Sequence, residues 1–366
     1  MTNPLLDPRP ITPAQFYALG VSVAELLDTR NDILLPQAEA VLPLEAAARS
    51  VARPDTTMLN IITSPYGKSF GRWLREGGTD VVEVEAPPNR SIDPDLVRRT
   101  LDSHPEISVV SFVHVEAISG VINDAALISE MAHARGALVI LDAVASIGAH
   151  QVAIDEWGVD ITVLASQKGL AGPAGISIAV VNERAWSVLA DNPAAPRNSI
   201  LSLLDWKEHW LDTDRSMVPT ILAPLEVWAL KAAIERVKSE GLASVERRHR
   251  AAAAASRSGA RALGLSTFVD DAEAAVIVTT LRSPDGVDAT SLVRDAKKLS
   301  DVALSAGFGE LAHEVIRVDH TGERARLDVV MAALQALGSA LGRPDDAVEL
   351  ALDAASKAWS DEAFAH

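Results

Sequence analysis

The sequence predicts an α/β fold: a three-layer α/β/α large domain built around a mostly parallel sheet, followed by a smaller C-terminal α+β domain. Short runs rich in β-branched residues alternate with helix-like segments through the first half of the chain, and long helices follow from about Pro224. This alternation is typical of parallel strands that are covered by helices on both faces. With 366 residues, 48% of them hydrophobic, the chain can bury a substantial core and divide into two units.

Six apolar runs are predicted to form the strands of the large domain. In chain order they are MLNIIT (58–63), VVEVEA (81–86), ISVVSFVHV (107–115), ALVILDAV (137–144), ITVLAS (161–166) and ISIAVV (176–181). Two of the intervening segments carry clear helix signals. DPDLVRRTLDSHP (93–105) opens with an acidic cap and closes before a proline, and DAALISEMAHARG (124–136) has apolar residues at helical spacing and a glycine stop.

The pattern changes in the C-terminal part of the chain. Two long helices are predicted at 224–241 and 242–264, then strands in AAVIVTTL (274–281) and HEVIRV (313–318), and a helix from about Arg324 to Leu341. The acidic tail 345–366 is predicted to be an amphipathic helix, docked on the surface or on a partner subunit. We therefore expect a large domain over residues 1–235, including the N-terminal segment, and a small domain over residues 236–366.

Composition excludes several classes of function. The formal net charge of -17 argues against a nucleic-acid partner, because phosphate backbones are normally met by basic patches. The sequence contains no cysteine, which excludes disulfides, thiolate metal sites and a cysteine nucleophile, and which is compatible with a reducing cytosol. No stretch approaches the ~18 uninterrupted apolar residues of a membrane span, and the N-terminus lacks a secretory signal. We expect a cytoplasmic protein with no membrane partner.

Two ionisable side chains stand where neighbouring strands are predicted to end. Asp142 closes ALVILD, and Lys168 comes three residues after ITVLA, 26 residues further along the chain. That spacing is about one strand–helix–strand step, so both side chains can face one crevice at the carboxyl edge of the sheet. One interpretation is a buried ion pair between them. The other is a lysine amine available to a carbonyl compound and a carboxylate set against a ring nitrogen, the two groups that pyridoxal phosphate requires.

Competing motifs are absent or lie in the wrong context. No G-x-x-x-x-G-K-[ST] occurs, which excludes a P-loop. GFGELA (307–312) resembles part of a dinucleotide fingerprint, but it lies between a predicted helix and a predicted strand, the reverse of the required order. The nine histidines show no H-E-x-x-H or clustered-ligand spacing, so we expect no metal site.

The segment VILDAVASIGAHQVAIDEWGVDITVLASQKGLAGPAG (139–175) resembles the core of the class V pyridoxal-phosphate aminotransferases, in particular their alanine/serine–glyoxylate branch. Three further segments are similar to motifs of that family and follow in its order: SPYGKSFGRW (64–73), SFVHVEAISGVIND (111–124) and VIRVDHTG (315–322). The similarity covers about residues 40 to 340. It implies the fold-type-I architecture, pyridoxal 5′-phosphate as cofactor and a homodimer.

The resemblance also assigns roles around the cofactor ring. Lys168 would hold the cofactor as a Schiff base and then move the proton between the substrate and the cofactor. Asp142 would keep the pyridine nitrogen protonated, which makes the ring an electron sink. Tyr66 and Val144 would cover the two faces of the ring, and Ser119 would reach its phenolic oxygen.

Arg317 is the expected substrate-binding residue. A guanidinium inside the apolar strand VIRV is costly to bury unless an anion meets it, and in the family this arginine grips the α-carboxylate of the substrate. The alternative is an edge-strand arginine paired with Asp319 or Glu314. Asp319 stands where the family has a glycine, so the local turn is expected to differ.

The phosphate end departs from the family pattern. The family uses a Gly/Ser/Thr-rich turn at a helix start, whereas this chain has QAEAVLPLEAAARS (37–50), in which Glu39 brings a like charge towards the phosphate. The backbone amides of residues 40–42 and the side chains of Ser166 and Gln167 are expected to hold the phosphate instead. Thr220 resembles the family threonine that reaches the phosphate of the neighbouring subunit.

The predicted activity is an aminotransferase that moves an amino group from a small amino acid to a 2-oxo acid such as glyoxylate or pyruvate. The same lysine and aspartate also serve lyases and epimerases, because all of these reactions begin with loss of the Cα proton. A cysteine desulfurase is excluded, since the chain has no cysteine. The weakened phosphate site leaves a third possibility, a cofactor-binding protein without turnover.

Overall fold

A seven-stranded sheet forms the centre of the molecule in the computed structural model, which describes residues 5–363. Its strands are β1 (Asp32–Leu34), β2 (Thr57–Ile62), β3 (Asp80–Glu85), β4 (Ile107–Val113), β7 (Leu138–Asp142), β8 (Ile161–Ala165) and β9 (Ser177–Val181), and β5 (Val115–Glu116) and β6 (Val121–Ile122) form a separate hairpin. The order across the large sheet is β1-β9-β8-β7-β4-β2-β3. β8 and β9 are buried along their whole length, as expected for a sheet covered on both faces.

The sheet is mostly parallel, as predicted. The exceptions are β9, which pairs antiparallel with β8, and β1, which pairs antiparallel with β9. The prediction of a parallel strand at 176–181 was therefore wrong in direction. The physical reason is that residues 166–176, which join β8 to β9, form turns without a helix, whereas a parallel connection needs a crossover of a dozen or more residues that is usually helical.

The helices that precede, connect or follow these strands are α1 (Pro13–Leu27), α2 (Val41–Val51), α3 (Pro65–Glu76), α4 (Pro94–Ser103), α5 (Ala125–His133), α6 (Glu183–Ala190), α7 (Leu203–Trp206), α8 (Pro224–Glu240) and α9 (Leu242–Ala262). A π-helical turn, Lys207–Leu211, continues α7. The predicted cap of α4 is present, since the Asp93 side chain accepts the Asp95 N–H, and Asp124 caps α5 in the same way.

The C-terminal part contains a three-stranded antiparallel sheet and three helices. They are β10 (Thr279–Arg282), α10 (Ala289–Leu299), β11 (Leu304–Ala306), β12 (Val315–Val318), α11 (Leu327–Ala340) and α12 (Asp345–Ala363). The predicted strand over 274–281 is regular only from Thr279 onwards, while β11 was not predicted. The predicted tail helix packs along α9 of its own chain.

Buried apolar side chains form two main clusters. The first surrounds the large sheet and extends to Val245 in α9, and the second begins at Ala252 in the same helix and extends to Ala355. The two clusters therefore meet within α9, and the division into domains at residue 235 stays a prediction. No helix within residues 5–363 has both the length and the apolar character needed to cross a membrane.

Candidate active site

Asp142 and Lys168 meet at the carboxyl edge of the large sheet. Asp142 is the last residue of β7, Lys168 follows β8, and these two strands are parallel neighbours. Both side chains line one cleft of about 420 Å³, part of which is open to solvent. Within residues 5–363, the Lys168 side chain has no hydrogen-bond or ion-pair partner, so the two groups share a cleft without forming the alternative ion pair.

Backbone hydrogen bonds close the turn that carries Lys168. The N–H of Gly172 donates to the Ser166 carbonyl at 2.7 Å, and the N–H of Ala171 donates to the Lys168 carbonyl at 2.9 Å. Ala171 is left-handed, with φ of 47°, which an L-residue adopts only when its surroundings enforce it. Lys168 is thus presented from a rigid turn.

A turn of the C-terminal part packs directly against this lysine turn. Gly322 has φ of 63°, and a Cβ added there would lie 2.8 Å from the Ala171 Cβ and 2.9 Å from the Lys168 carbonyl oxygen. The N–H of Gly322 donates to Nε2 of buried His249 at 3.0 Å. Burial lowers the pKa of His249 to about 4, so its ring is neutral and can accept this bond. Only a glycine at position 322 allows so close an approach.

The carboxylate of Asp142 is destabilised in the ligand-free cleft. Desolvation raises the pKa of Asp142 to about 7, and the charges of Glu116 and Glu39 add to the rise, against a hydrogen bond from the Val144 N–H at 3.0 Å. A pyridinium N–H placed against this carboxylate would supply the missing positive partner. Asp142 is therefore suited to hold a protonated ring nitrogen.

Glu116 is a second buried carboxylate that lines the cleft, and the sequence prediction missed it. Its exposed fraction is 2%, and the Ile118 N–H donates to its Oε1 at 2.7 Å. Burial raises the pKa of Glu116, while the Ser64 hydroxyl, the Ile118 N–H and the charges of Lys168 and Arg317 oppose the rise. A usable signal was present, because Glu116 follows an apolar strand just as Asp142 and Lys168 do.

Tyr66 and Val144 both line the cleft. Tyr66 lies in the first turn of α3, where the Ser64 hydroxyl caps the helix by accepting the Tyr66 N–H at 3.2 Å. Burial raises the pKa of the Tyr66 hydroxyl, and the neighbouring carboxylates raise it further. The cap therefore fixes the backbone from which this ring enters the site.

Glu39 occupies the donors that were predicted to hold a phosphate. Its Oε2 accepts the Val41 N–H at 2.9 Å, at the start of α2, and its Oε1 accepts a hydrogen bond from Gln167 Nε2 at 3.0 Å. The Leu42 N–H donates to the backbone carbonyl of Glu39, and the Ser166 hydroxyl donates to backbone carbonyls on the far side of the lysine turn. The chain thus places its own carboxylate at this helix terminus.

The remaining predicted residues lie around the cleft rather than in its lining. The Ser119 hydroxyl is buried and has no hydrogen-bond partner within the described part of the chain. Thr220 is exposed on a neighbouring groove. Arg317 lies on β12, its Nη2 is 3.2 Å from Asp319 Oδ1, and its positive charge affects Glu116 and Tyr66. Asp319, and not Glu314, is thus the acid that pairs with Arg317.

A lysine and a carboxylate at neighbouring strand ends of such a sheet define a carbonyl-condensing enzyme, and the family comparison agrees. The model of the aminotransferase class-V family matches residues 61–315, so the chain belongs to this family. Its members are pyridoxal-phosphate-dependent, and the predicted fold, aminotransferase activity and cofactor class are confirmed.

Individual relatives show which aminotransferases the chain is similar to. The chain is 38% identical over 313 residues to the pyridoxamine–pyruvate transaminase of Mesorhizobium japonicum, covering 85% of this chain and 79% of the relative. It is 30% identical to the serine–glyoxylate aminotransferase of Methylorubrum extorquens, covering 78% and 72%. The crystal structure of pyridoxamine–pyruvate aminotransferase from Mesorhizobium loti superposes with a TM-score of 0.91 and 34% identity, covering 97% and 92%.

The two ends of the cleft differ in how well they suit the family's cofactor. The ring end fits a pyridoxal ring, since it offers a lysine amine without a partner, a carboxylate that lacks a cation, and Tyr66 beside them. The phosphate end does not fit a phosphate ester, because the Glu39 carboxylate already holds the Val41 and Gln167 donors. A dianion placed there would meet a like charge.

Proposed function

We propose that this enzyme transfers an amino group between free pyridoxamine and pyruvate, with pyridoxal and alanine as the products. In the reverse direction, a small amino acid donates its amino group to an aldehyde, in line with the aminotransferase activity of the family. The pyridine ring would supply the electron sink for proton loss while it is bound. The vitamin form would then be a substrate that leaves after each turnover.

The contacts of Glu39 are the observation that carries this proposal. A carboxylate that accepts hydrogen bonds from Val41 N–H and Gln167 Nε2 gives the helix terminus the negative partner that a phosphate would otherwise supply. A ligand with a neutral hydroxymethyl group needs no further anion site. The similarity to pyridoxamine–pyruvate transaminases points to the same substrate.

The charge of the cleft also favours a cationic donor. Three carboxylates, those of Glu39, Glu116 and Asp142, line it together with one lysine. Pyridoxamine carries an ammonium group, whereas pyridoxal phosphate carries a dianionic ester. Electrostatic complementarity therefore favours the binding of pyridoxamine over that of pyridoxal phosphate.

Each chemical role is proposed for a residue already described. Lys168 would bind the aldehyde through its amine and, once released, move the proton between the two reacting carbons. The hydrogen-bonded turn that carries Lys168 into the cleft supports this role. Asp142 would hold the ring nitrogen protonated. Tyr66 and Val144 would pack on the two ring faces, and Arg317 would hold the carboxylate of the 2-oxo acid.

We also propose a homodimer located in the cytoplasm. Exposed apolar side chains surround the groove that carries Thr220: Ile200, Met217 and Ile221 are 73%, 76% and 95% exposed. A second copy would cover them, as large exposed apolar patches are typical of interfaces. The assignment of Thr220 and of the buried Ser119 to the site rests on the family resemblance alone.

Titration of the ligand-free protein with pyridoxal and with pyridoxal 5′-phosphate tests the proposal, with binding followed by absorbance. We expect the phosphate ester to bind at least about tenfold more weakly than pyridoxal, because it meets the Glu39 charge. Glu39→Gln should reverse much of this preference, while Glu45→Gln in the adjacent helix α2, where Glu45 pairs with Arg49, should not.

A second candidate is a phosphate-loaded enzyme that acts on an amino acid and glyoxylate, which the similarity to serine–glyoxylate aminotransferase favours. Tighter binding of pyridoxal 5′-phosphate than of pyridoxal, with alanine–glyoxylate transamination by the loaded protein, would establish this candidate and overturn the pyridoxamine proposal. Formation of pyridoxal and alanine from pyridoxamine and pyruvate, without added phosphate ester, would support the first.

A further inference from the structure

Asp319 pairs with one end of the guanidinium of Arg317, the residue proposed to hold the carboxylate of the 2-oxo acid. Its Oδ1 lies 3.2 Å from Arg317 Nη2, and the two side chains are 19% and 21% exposed. Both residues belong to the same segment of β12 and the turn that follows it. The pair is therefore local, partly open and next to the cleft.

The Nε edge of the Arg317 guanidinium is buried beside the small C-terminal sheet. Arg317 pairs across β12 with Thr280 on one side and Ser305 on the other, which places these side chains on one face. Arg317 Nε and Ser305 Oγ are both buried without a hydrogen-bond partner among the described residues. Because the Nε edge is buried, we expect a substrate carboxylate to meet the Nη end, where Asp319 lies 3.2 Å from Nη2.

We infer that Asp319 is a specificity-determining residue that restricts the acceptor site to 2-oxo acids with a single carboxylate. Two features of the Arg317–Asp319 pair support this inference. Asp319 engages Nη2, so a substrate carboxylate has to share the guanidinium with it. Its charge, with that of buried Glu116 nearby, repels a second carboxylate on the same substrate. The inference rests on the proposed aminotransferase function and deepens it.

A purely structural ion pair would behave differently. Loss of such a pair would weaken the protein or reduce the use of all acceptors in proportion. A charge that selects among acceptors changes the ratio between them instead. The ratio of kcat/KM for oxaloacetate to that for pyruvate is therefore the quantity to measure.

Asp319→Asn removes the charge and keeps an oxygen that can accept from Nη2. We expect this variant to raise the oxaloacetate to pyruvate ratio by about tenfold, the order expected when one like charge close to a substrate is removed. Asp319→Glu, which keeps the charge, should retain a ratio close to that of the wild type. The matched control is Glu314→Gln, which removes a charge from an exposed position of the same segment.

Equilibrium binding gives a second measurement that needs no turnover. With the protein saturated by pyridoxal or its phosphate, whichever binds, Asp319→Asn should tighten succinate relative to propionate, and Glu314→Gln should not. An unchanged ratio in both assays, or equal losses for both ligands, would overturn the inference. A wild-type protein that transfers no amino group would overturn the proposed function, while the binding assay would still decide the role of Asp319.

Discussion

At the scale of single residues, the site depends on side chains that lack a partner until a ligand arrives. The Lys168 amine has no partner among residues 5–363, and Asp142 has a carboxylate whose pKa is raised to about 7. Groups with a shifted pKa or without a charged partner concentrate at functional sites, because a bound ligand supplies the charge or hydrogen bond that the protein does not. Both residues line the same cleft, and under the proposed function one pyridine ring would contact both of them.

Covalent trapping tests the role of Lys168. With pyridoxal and borohydride, we expect a reduced adduct on Lys168, because its unpaired amine lies in the cleft. Peptide mass mapping would locate the adduct. Lys168→Ala should lose it together with at least about a thousandfold in activity, while Lys231→Ala, which removes an exposed lysine of α8, should keep both. An adduct on another lysine alone would contradict the role.

The raised pKa of Asp142 predicts a pH-dependent stability. In the unfolded chain the carboxyl ionises near pH 3.9, while in the folded, ligand-free protein it stays protonated up to about pH 7. Between these values unfolding releases a proton, so Asp142 destabilises the fold more and more as the pH rises. The effect is complete above pH 7.

Asp142→Asn should therefore increase the free energy of unfolding relative to wild type by about 1–2 kcal/mol more at pH 8 than at pH 5. Denaturant unfolding at both pH values measures this difference, and any pH-independent effect of the amide cancels. Asp285→Asn, at an exposed position, is the control and should show no such pH dependence. An equal gain at both pH values would refute the argument.

The sequence predicted that Asp142 and Lys168 lie in one cleft, but it predicted less of what surrounds them. Asp142 and Lys168 follow apolar strands, and a polar residue at such a point is a visible signal. The sequence shows Glu39 as a negative charge close to the expected phosphate. Its hydrogen bonds from the Val41 N–H and from Gln167 depend on a side-chain conformation that no sequence pattern encodes. Glu116 has the same signal as Asp142 and was overlooked.

At the scale of elements, two turns control how Lys168 is presented. The lysine turn after β8 and the glycine turn after β12 are in direct contact through Ala171 and Gly322. They are distant in the chain, so their contact depends on packing between β12, α9 and the large sheet. We therefore expect a substitution in the glycine turn to alter the position of Lys168.

Gly322→Ala tests this contact. The new Cβ would sit within 3 Å of the Ala171 Cβ and of the Lys168 carbonyl oxygen, and the left-handed backbone adds strain. We expect a loss of about 1–3 kcal/mol in stability, from strain and overpacking, and a lower kcat. Steady-state kinetics and thermal unfolding would measure both.

Gly286→Ala is the matched control, because Gly286 has a similar φ of 77° and no atom within 4 Å of an added Cβ. It should share the backbone strain and leave kcat near the wild-type value. Equal losses of kcat in both variants would show that the contact with the lysine turn is not responsible.

Secondary structure was predictable where the elements are long and periodic. Helices α8, α9 and α11 and the buried strands β7 and β8 lie within one to three residues of their predicted bounds. The three-residue strands β1 and β11 were missed, because strands this short carry no periodic signal and form only by pairing with β9 and β12. The direction of β9 was likewise decided by the helix-free connection from β8 and not by composition.

At the scale of the whole molecule, the exposed apolar groove predicts self-association. Ile221→Lys should produce a monomer with reduced activity, because it buries a charge at the proposed interface, beside Thr220. Sedimentation velocity would measure the change. Leu350→Lys, at a 65% exposed position on α12, should remain a dimer. A wild-type protein that is monomeric at micromolar concentration would contradict the prediction.

The Glu39 carboxylate at the start of α2 also bears on how the protein behaves in a cell or on a column. If the proposed function holds, the purified protein would be colourless and would keep its activity through dialysis, because the pyridine ring would leave with each turnover. Its rate would then depend on the concentration of free pyridoxamine.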